Sequence, residues 1–140
     1  MSHLHFLEKL YKAAPINQKF FEASELKVSE KQANITLPIS EDMFHAGKSL
    51  HGAVYFKLLD DAAYFAAASI EKEYFLLTKD YQIEFKRPVF GGKLFAEGTL
   101  EEVTENGYIA SSVIKNEEGK TVAQGRGEFA KSRTKIGELN

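Results

Sequence analysis

One long segment in the middle of the chain is apolar on nearly every side, and we expect the other elements to be arranged around it. Residues 49–69 are rich in alanine and leucine and lack proline, which predicts a single helix. At about 100° per residue, Lys57, Asp60 and Asp61 fall on one side of it, together with Tyr64. The pattern therefore predicts a buried helix with one polar stripe.

Alternation of apolar and polar residues with period two predicts strands on both sides of this helix. Before it, Leu26 and Val28 alternate with polar residues, and the alternation is strict over residues 33–39, so the two segments predict a half-buried antiparallel hairpin. After it, glycine, proline and asparagine turn signals separate four further predicted strands, over residues 75–86, 94–100, 108–115 and 121–131.

The segments around these elements predict a helix, a loop and a tail. Leucine and tyrosine recur at helical spacing over residues 1–14, which predicts a short amphipathic helix that Pro15 ends, followed by a connector. Residues 40–48 keep neither period and predict a loop, after which Ser49 is the expected N-cap of the long helix. The polar residues 132–140 predict a frayed tail.

This order of elements predicts an α+β domain. An antiparallel sheet of about six strands can bury one long helix only by curling around it, so the helix should lie in the concave face. At 140 residues the whole chain, 1–140, is expected to be one domain. The exposed sheet edge and outer face favour self-association, so we expect a dimer or a larger homo-oligomer.

Composition and charge narrow the classes of function. The net charge of -2 leaves no general basic field, which argues against nucleic acid as the main partner. The absence of cysteine excludes disulfides, thiolate metal sites and cysteine nucleophiles. Three charges near the middle of residues 49–69 argue against a membrane span, and no cationic start precedes an apolar run, so we expect a cytosolic protein without a membrane partner.

Several common chemical devices are excluded by spacing. Gly47-Lys48-Ser49 is similar to the end of a phosphate-binding P-loop, but that pattern needs a glycine where this chain has Asp42. The nucleophile elbow of hydrolases needs a glycine where this chain has His51. His45 and His51 are six residues apart, which does not fit a helical zinc pair, so no metal site is predicted.

The groups that remain for chemistry lie at the start of the long helix and along its polar stripe. First-turn N–H groups, that of Gly52 among them, have no intrahelical partner and can donate to a carbonyl oxygen or oxyanion. A partly desolvated aspartate two turns further on can deprotonate a water. Asp60 and Asp61 are both candidates, and either can instead pair with Lys57. The ordinary alternatives for the other groups are a backbone-bonded His51, a solvated His45 and a strand threonine at Thr78.

The same residues resemble a known family. The chain contains, in this order, His51-Gly52-Ala53, Leu58-Leu59-Asp60 before an alanine-rich helix end, residues 78–88 and Gly91-Gly92. This order is similar to that of the hotdog-fold acyl-CoA thioesterases, in particular the phenylacetic-acid-pathway type. The resemblance implies the hotdog fold, in which a sheet wraps around one long helix, and a thioester-hydrolysing active site that two subunits share.

The resemblance implies a role for four residues of this chain. Asp60 matches the catalytic carboxylate, a general base or nucleophile, because it stands nine residues after His51 as in the family pattern. The backbone N–H of Gly52 matches the group that polarises the thioester carbonyl, and His51 matches the histidine that supports this loop. Thr78 matches a hydroxyl residue that helps to place the water.

Other positions either depart from the family pattern or are candidates for binding the coenzyme. His45 stands where the family commonly has asparagine or glutamine to position the substrate, and Ala53 replaces the second motif glycine. The candidates for the phosphates of coenzyme A are Lys86, Arg87, Arg126, Lys131 and Arg133. The alternative for each of these cations is an ordinary solubilising charge.

We therefore expect a thioesterase that hydrolyses an acyl-CoA or related thioester to free acid and thiol, as a homodimer or a dimer of dimers. No metal or redox cofactor is implied, and coenzyme A enters only as part of the substrate. One alternative is a non-catalytic hotdog protein that binds acyl-CoA or serves as a structural oligomer, which His45 favours. A hotdog dehydratase is the other, and it needs a histidine-based acid–base pair. Thiol release from a panel of acyl-CoA esters, compared with Asp60→Asn, distinguishes these functions.

Overall fold

The computed structural model describes residues 1–139, and Asn140, the last residue of the predicted tail, lies outside the described residues. The helices are α1 (His3–Ala13), α2 (Pro15–Phe20) and α3 (Gly52–Ala68). The strands are β1 (Glu25–Ser29), β2 (Gln32–Pro38), β3 (Tyr74–Phe85), β4 (Lys93–Val103), β5 (Gly107–Lys115) and β6 (Thr121–Lys135). Short 3₁₀ turns cover Glu41–Met43 and Ile136–Glu138.

The strands form one antiparallel sheet that wraps around α3. Their order is β1-β2-β4-β5-β6-β3, and the first two form the predicted hairpin, with Leu26 opposite Ile35. Helix α3 packs mainly on β2, β4 and β5 and also reaches the other strands. Most of this helix is buried, including Leu58, Leu59, Ala62, Ala63, Ala66 and Ala67. The predicted α+β class, with one long helix in the concave face of a six-stranded sheet, is confirmed.

Strands β1 and β3 are the two edges of the sheet, and each pairs with one neighbour only. Edge strands of this kind have backbone groups that another chain can pair with. Among residues 1–139, no helix has both the length and the apolarity that crossing a bilayer requires.

Helix α3 begins at Gly52, later than the start at Ser49 that the sequence predicts. The two residues before it are held out of the helix, because the backbone N–H groups of Leu50 and His51 donate to carbonyls of neighbouring segments. The predicted N-cap is therefore wrong. The N-cap is His51, whose Nδ1 accepts from the N–H of Ala53 at 2.9 Å.

The predicted helix over residues 1–14 is confirmed as α1, but the connector predicted after it is wrong. Pro15 ends α1 and is also the first residue of α2, a position where its missing N–H has no helical partner to lose. The side-chain amide of Asn17 donates to the carbonyl of Tyr11 at 2.8 Å, which ties the two helices together. The pair forms one continuous structural unit beside α3.

The frayed tail predicted for residues 132–140 is also wrong over its described part. Strand β6 continues to Lys135, which pairs with Tyr74 of β3. Ile136 is then buried, and its N–H donates to the carbonyl of Glu73 at 2.8 Å. One apolar residue in a polar segment is too weak a sequence pattern to indicate this packing.

Helix α3 and strand β4 approach so closely at Gly98 that no side chain fits there. A Cβ on Gly98 would lie 1.9 Å from the backbone oxygen of Ala62. Gly98→Ala is therefore expected to lower the free energy of unfolding by about 3 kcal/mol, because backbone atoms must shift to relieve the overlap. Urea unfolding measures this loss. Thr99→Ala, at an exposed position of the same strand, is the matched control, and equal losses in the two variants would contradict the close approach.

Candidate active site

The polar stripe of α3 lines a cleft that the N-terminal helices close on one side. The cleft has a volume of about 460 Å³ and lies between α1 and α2 on one side and α3 and β3 on the other. Lys57, Asp60, Asp61 and Tyr64 all line it, as the helical spacing predicts. The other lining residues are mostly apolar, among them Leu10, Ile16, Phe56, Phe75 and Leu77. The carboxylates of α3 therefore lie in largely apolar surroundings.

Asp60 and Thr78 meet in this cleft and join helix α3 to strand β3. The Thr78 hydroxyl donates to Oδ1 of Asp60 at 2.8 Å. Burial raises the pKa of Asp60 to about 6; the hydrogen bond from Thr78 opposes this rise, the charge of Asp61 adds to it and that of Lys57 opposes it. Asp60 is thus mostly ionised at neutral pH, yet basic enough to take a proton from water.

Asp61, the other candidate carboxylate, is engaged in an ion pair. The ammonium of Lys57 donates to Oδ2 of Asp61 one helical turn away, as the i,i+4 spacing predicts. That ammonium also lies 4.7 Å from the ring centre of Phe21 and 5.4 Å from that of Tyr11. Burial raises the pKa of Asp61, and Lys57 opposes the rise. The sequence left an ion pair with Lys57 open for either aspartate, and in the structure Asp61 makes it.

The N–H of Gly52, at the start of α3, is free to bind a ligand. The N–H of Ala53 donates to Nδ1 of His51 and that of Val54 donates to the carbonyl of His51. Among the described residues, the N–H of Gly52 has no hydrogen-bond partner. It lies at the positive end of the helix dipole and can donate to a carbonyl oxygen or an oxyanion.

Both histidines before α3 accept a backbone hydrogen bond at Nδ1. His51 accepts from Ala53, and His45 accepts from the N–H of Gly47 at 2.9 Å. A neutral ring that accepts at Nδ1 has its proton on Nε2, and in His45 this nitrogen lies 2.9 Å from the hydroxyl of Ser49. The ring of His45 is therefore held by its own loop, 6.4 Å from that of His51 between ring centres.

The cations predicted to bind phosphate differ in their present partners. The ammonium of Lys86 lies 2.9 Å from Oε1 of Glu84, and both residues are exposed. The side chain of Arg87 is exposed and makes no ion pair within residues 1–139, while its backbone carbonyl accepts from the Tyr55 hydroxyl at 2.8 Å. Two further candidates are ion-paired, Arg126 with Glu101 and Lys131 with Glu71. Arg87 is thus more available to a phosphate than these paired cations.

The chain brings the predicted site residues together in two groups rather than one. Asp60 and Thr78 form the first group, in the cleft, and the second group is the Gly52 N–H with the two histidines before it. Gly52 and Asp60 are eight residues apart, which corresponds to about 12 Å along a helix. The Gly52 N–H also points out of the N-terminal end of the helix, away from Asp60. A carbonyl that it binds therefore lies even further from a water on Asp60 of the same chain, although reacting atoms must approach to about 3 Å.

The N-terminal wall of the cleft was not predicted from the sequence. Tyr11, Asn17 and Phe21 contact the polar stripe or line the cleft, although they precede α3 by more than thirty residues. Local patterns do not specify which distant element a helix packs on. The one available signal was Lys57, because a lysine on an otherwise apolar helix requires partners for its charge.

The elevated pKa of Asp60 has a measurable effect on stability. Because this pKa is raised from 3.8 to about 6 on folding, the folded state binds more protons in that range, and the stability falls as pH rises through it. Asp60→Asn removes the charged form and is expected to raise the free energy of unfolding at pH 7 by roughly 2 kcal/mol. Urea unfolding across about pH 4 to 7 measures this effect.

The control for this measurement is Asp80→Asn, at an exposed position of β3. It should change the free energy of unfolding by less than about 0.5 kcal/mol. An Asp60→Asn variant less stable than the wild type at neutral pH would contradict the assignment of a destabilising charge to Asp60.

Comparison with known proteins supports the resemblance drawn from the motif. The family model of the thioesterase superfamily matches residues 47–123. A Saccharolobus solfataricus protein that bears the name "Putative esterase" is 23% identical over 130 residues, which are 93% of this chain and 93% of that protein.

Solved structures of similar proteins have the same fold. The E. coli PaaI protein from the phenylacetic acid degradation operon matches with a TM-score of 0.81 and 23% identity, over 96% of this chain and 99% of that chain. Zebra fish thioesterase superfamily member 2 matches with a TM-score of 0.82 and 17% identity, over 94% and 100%. A Haemophilus influenzae thioesterase matches with a TM-score of 0.78 and 21% identity, over 93% and 90%.

The TM-scores show a shared fold, and the predicted hotdog thioesterase relationship is confirmed. The match to the family model is the stronger finding, because it includes both the Gly52 and the Asp60 positions. It spans more than half of the 140 residues, and the chain therefore belongs to the thioesterase superfamily.

Proposed function

We propose that this protein hydrolyses an acyl-CoA thioester to a free acid and coenzyme A. The observation that carries the proposal is Asp60, a carboxylate with a pKa of about 6 that accepts a hydrogen bond from Thr78 inside a largely apolar cleft. Membership of the thioesterase superfamily supports thioester hydrolysis as the class of reaction. An apolar cleft of about 460 Å³ is suited to the acyl group.

In this mechanism Asp60 acts as a general base on water. It takes a proton from the water as the water oxygen attacks the thioester carbonyl carbon. The Gly52 N–H donates to the carbonyl oxygen and stabilises the negative charge that develops on it. The carbon–sulfur bond then breaks, and the leaving thiolate takes the proton back from Asp60. The proposed chemistry is acid–base catalysis throughout, so no metal or redox cofactor takes part in it.

The active site is proposed to form between two copies of the chain. The backbone positions of Gly52 and Asp60 are about 12 Å apart along the helix, and the Gly52 N–H points away from Asp60 of the same chain. A second copy can place its Gly52 opposite Asp60, and the edge strand β3, which includes Thr78, is available for the required pairing. A symmetric dimer would then have two identical sites.

The alternative function is a hotdog protein that binds acyl-CoA without hydrolysing it. The observation that favours it is His45, which stands where the family commonly has a side-chain amide and is bonded to Gly47 and Ser49 of its own loop. Thiol release from a panel of acyl-CoA esters separates the two functions, because a binding protein releases no thiol at any chain length.

Asp60→Asn is expected to lower kcat by a factor of about 10² to 10⁴, because it removes the general base. Asp61→Asn should lower kcat far less, since Asp61 is paired with Lys57. Thiol release measured for both variants, with circular dichroism as the check on folding, tests the choice between the two aspartates. A larger loss in Asp61→Asn would show that Asp61, and not Asp60, is the catalytic carboxylate.

The role of the Gly52 N–H can be tested with proline. Gly52→Pro removes the N–H at the first helical position, where proline is favourable, and His51 already has a ψ of 140°, as a residue before proline requires. Kcat should fall about a hundredfold or more. Gly52→Ala is the matched control, because it adds the same Cβ, 3.4 Å from the Phe85 ring, but keeps the N–H. The difference in kcat between the proline and alanine variants therefore measures the N–H alone.

The same variants test whether two copies share a site. Gly52→Pro and Asp60→Asn chains, mixed by refolding together, form mixed dimers in which one site has an intact Gly52 and an intact Asp60. Half of the dimers are mixed and each has one intact site of two, so about one quarter of the wild-type activity should return. No recovery, in mixtures shown by mass spectrometry to contain mixed dimers, would contradict the shared site.

Arg87→Ala is expected to raise the KM for an acyl-CoA ester about threefold to tenfold and to leave kcat nearly unchanged, because an exposed cation acts on encounter and ground-state binding. The KM of the wild type should also rise with salt. The control substrate is the N-acetylcysteamine ester of the same acyl group, which has no phosphate. A KM for the CoA ester that changes neither with the substitution nor with salt would show that Arg87 is an ordinary surface charge.

A further inference from the structure

An exposed aromatic ring lies beside Gly52, the residue of α3 whose N–H is free. Phe85, the last residue of β3, is 54% exposed. A Cβ on Gly52 would lie 3.4 and 3.5 Å from the Cζ and Cε1 atoms of this ring. The ring therefore borders the space on the Cα side of Gly52, next to the N–H that a carbonyl group would approach.

The position of this ring is fixed by α3. Phe85 packs edge-on against Tyr55, with 5.2 Å between the ring centres and 84° between the planes. The Tyr55 hydroxyl donates to the carbonyl of Arg87 at 2.8 Å, which holds the end of β3 against the helix. Tyr55 itself is buried. The exposed ring is thus held by a buried one, and its exposure is not the result of a loose strand end.

We propose that Phe85 is a substrate-positioning residue, whose ring forms the wall against which the thioester lies while its carbonyl oxygen accepts from the Gly52 N–H. This inference rests on the proposed function, and it adds the residue that forms one wall of the carbonyl-binding site. The chemical group that the ring recognises is the thioester with its adjoining methylene groups. The methylene groups are apolar, and the thioester sulfur is polarisable, so both suit an aromatic surface.

Two physical effects follow from such a wall. The ring excludes water from one side of the N–H···O hydrogen bond, which strengthens it as charge develops on the oxygen. It also restricts the orientations of the bound thioester, and a small displacement of a reacting carbonyl can lower the rate by about 10². Both effects act at the thioester itself, so they do not require the nucleotide part of coenzyme A.

The experiment compares four proteins on two substrates. The proteins are the wild type, Phe85→Ala, Phe85→Leu and Phe90→Ala, and the substrates are an acyl-CoA ester and the N-acetylcysteamine ester of the same acyl group. Phe90 is the matched control, because it is a phenylalanine five residues further along that is 70% exposed. Thermal unfolding and light scattering check the fold and the oligomeric state of each variant.

Phe85→Ala is expected to lower kcat/KM about tenfold to a hundredfold on both substrates by a similar factor, with Phe85→Leu between it and the wild type. Phe90→Ala should match the wild type on the N-acetylcysteamine ester. A Phe85→Ala variant with wild-type kcat/KM on that ester would overturn the inference, and so would a loss of activity fully explained by dissociation into monomers. A wild-type protein that releases thiol from neither substrate would instead sink the proposed function.

Discussion

Burial of α3 against the curved sheet determines where chemistry can occur in this protein. Small side chains allow the helix backbone to come so close to β4 that Gly98 has no room for a Cβ beside Ala62. Most of the helix is buried by this contact and by the neighbouring strands, and the stripe with Lys57 and Asp60 lines a cleft. The packing that stabilises the fold therefore also orients the candidate catalytic carboxylate.

Two adjacent aspartates on this helix have different electrostatic environments. Asp61 is largely buried but has the Lys57 ammonium as a partner, and that ammonium also lies on the rings of Tyr11 and Phe21. Asp60 is bonded to a neutral hydroxyl, so burial raises its pKa to about 6. A difference of this kind separates a structural carboxylate from one suited to proton transfer, at a cost in stability near neutral pH.

The elements of the fold were predictable where their pattern is local. Period-two alternation located the strands, helical spacing located α1, and an alanine- and leucine-rich composition without proline located α3. The i,i+4 rule anticipated the pair of Lys57 and Asp61. The errors occurred where a distant backbone group decides the local conformation. The N–H of Leu50 donates to Val89 and delays the helix start, and Ile136 extends the ordered chain by bonding to Glu73. Such partners lie tens of residues away, and no local pattern specifies them.

The candidate site was also predictable only in part. Residue physics alone identified the first-turn N–H groups and left Asp60 and Asp61 open, and the family resemblance supplied Thr78, which the structure places on Asp60. The resemblance also implied a site that two subunits share, and helix geometry supplies a physical reason for it. Gly52 acts through a backbone N–H that points out of the helix start, and Asp60 lies about 12 Å further along the same helix, on the other side of that N–H. A thioesterase that uses both groups must therefore bring two helices together, so assembly and catalysis become one requirement.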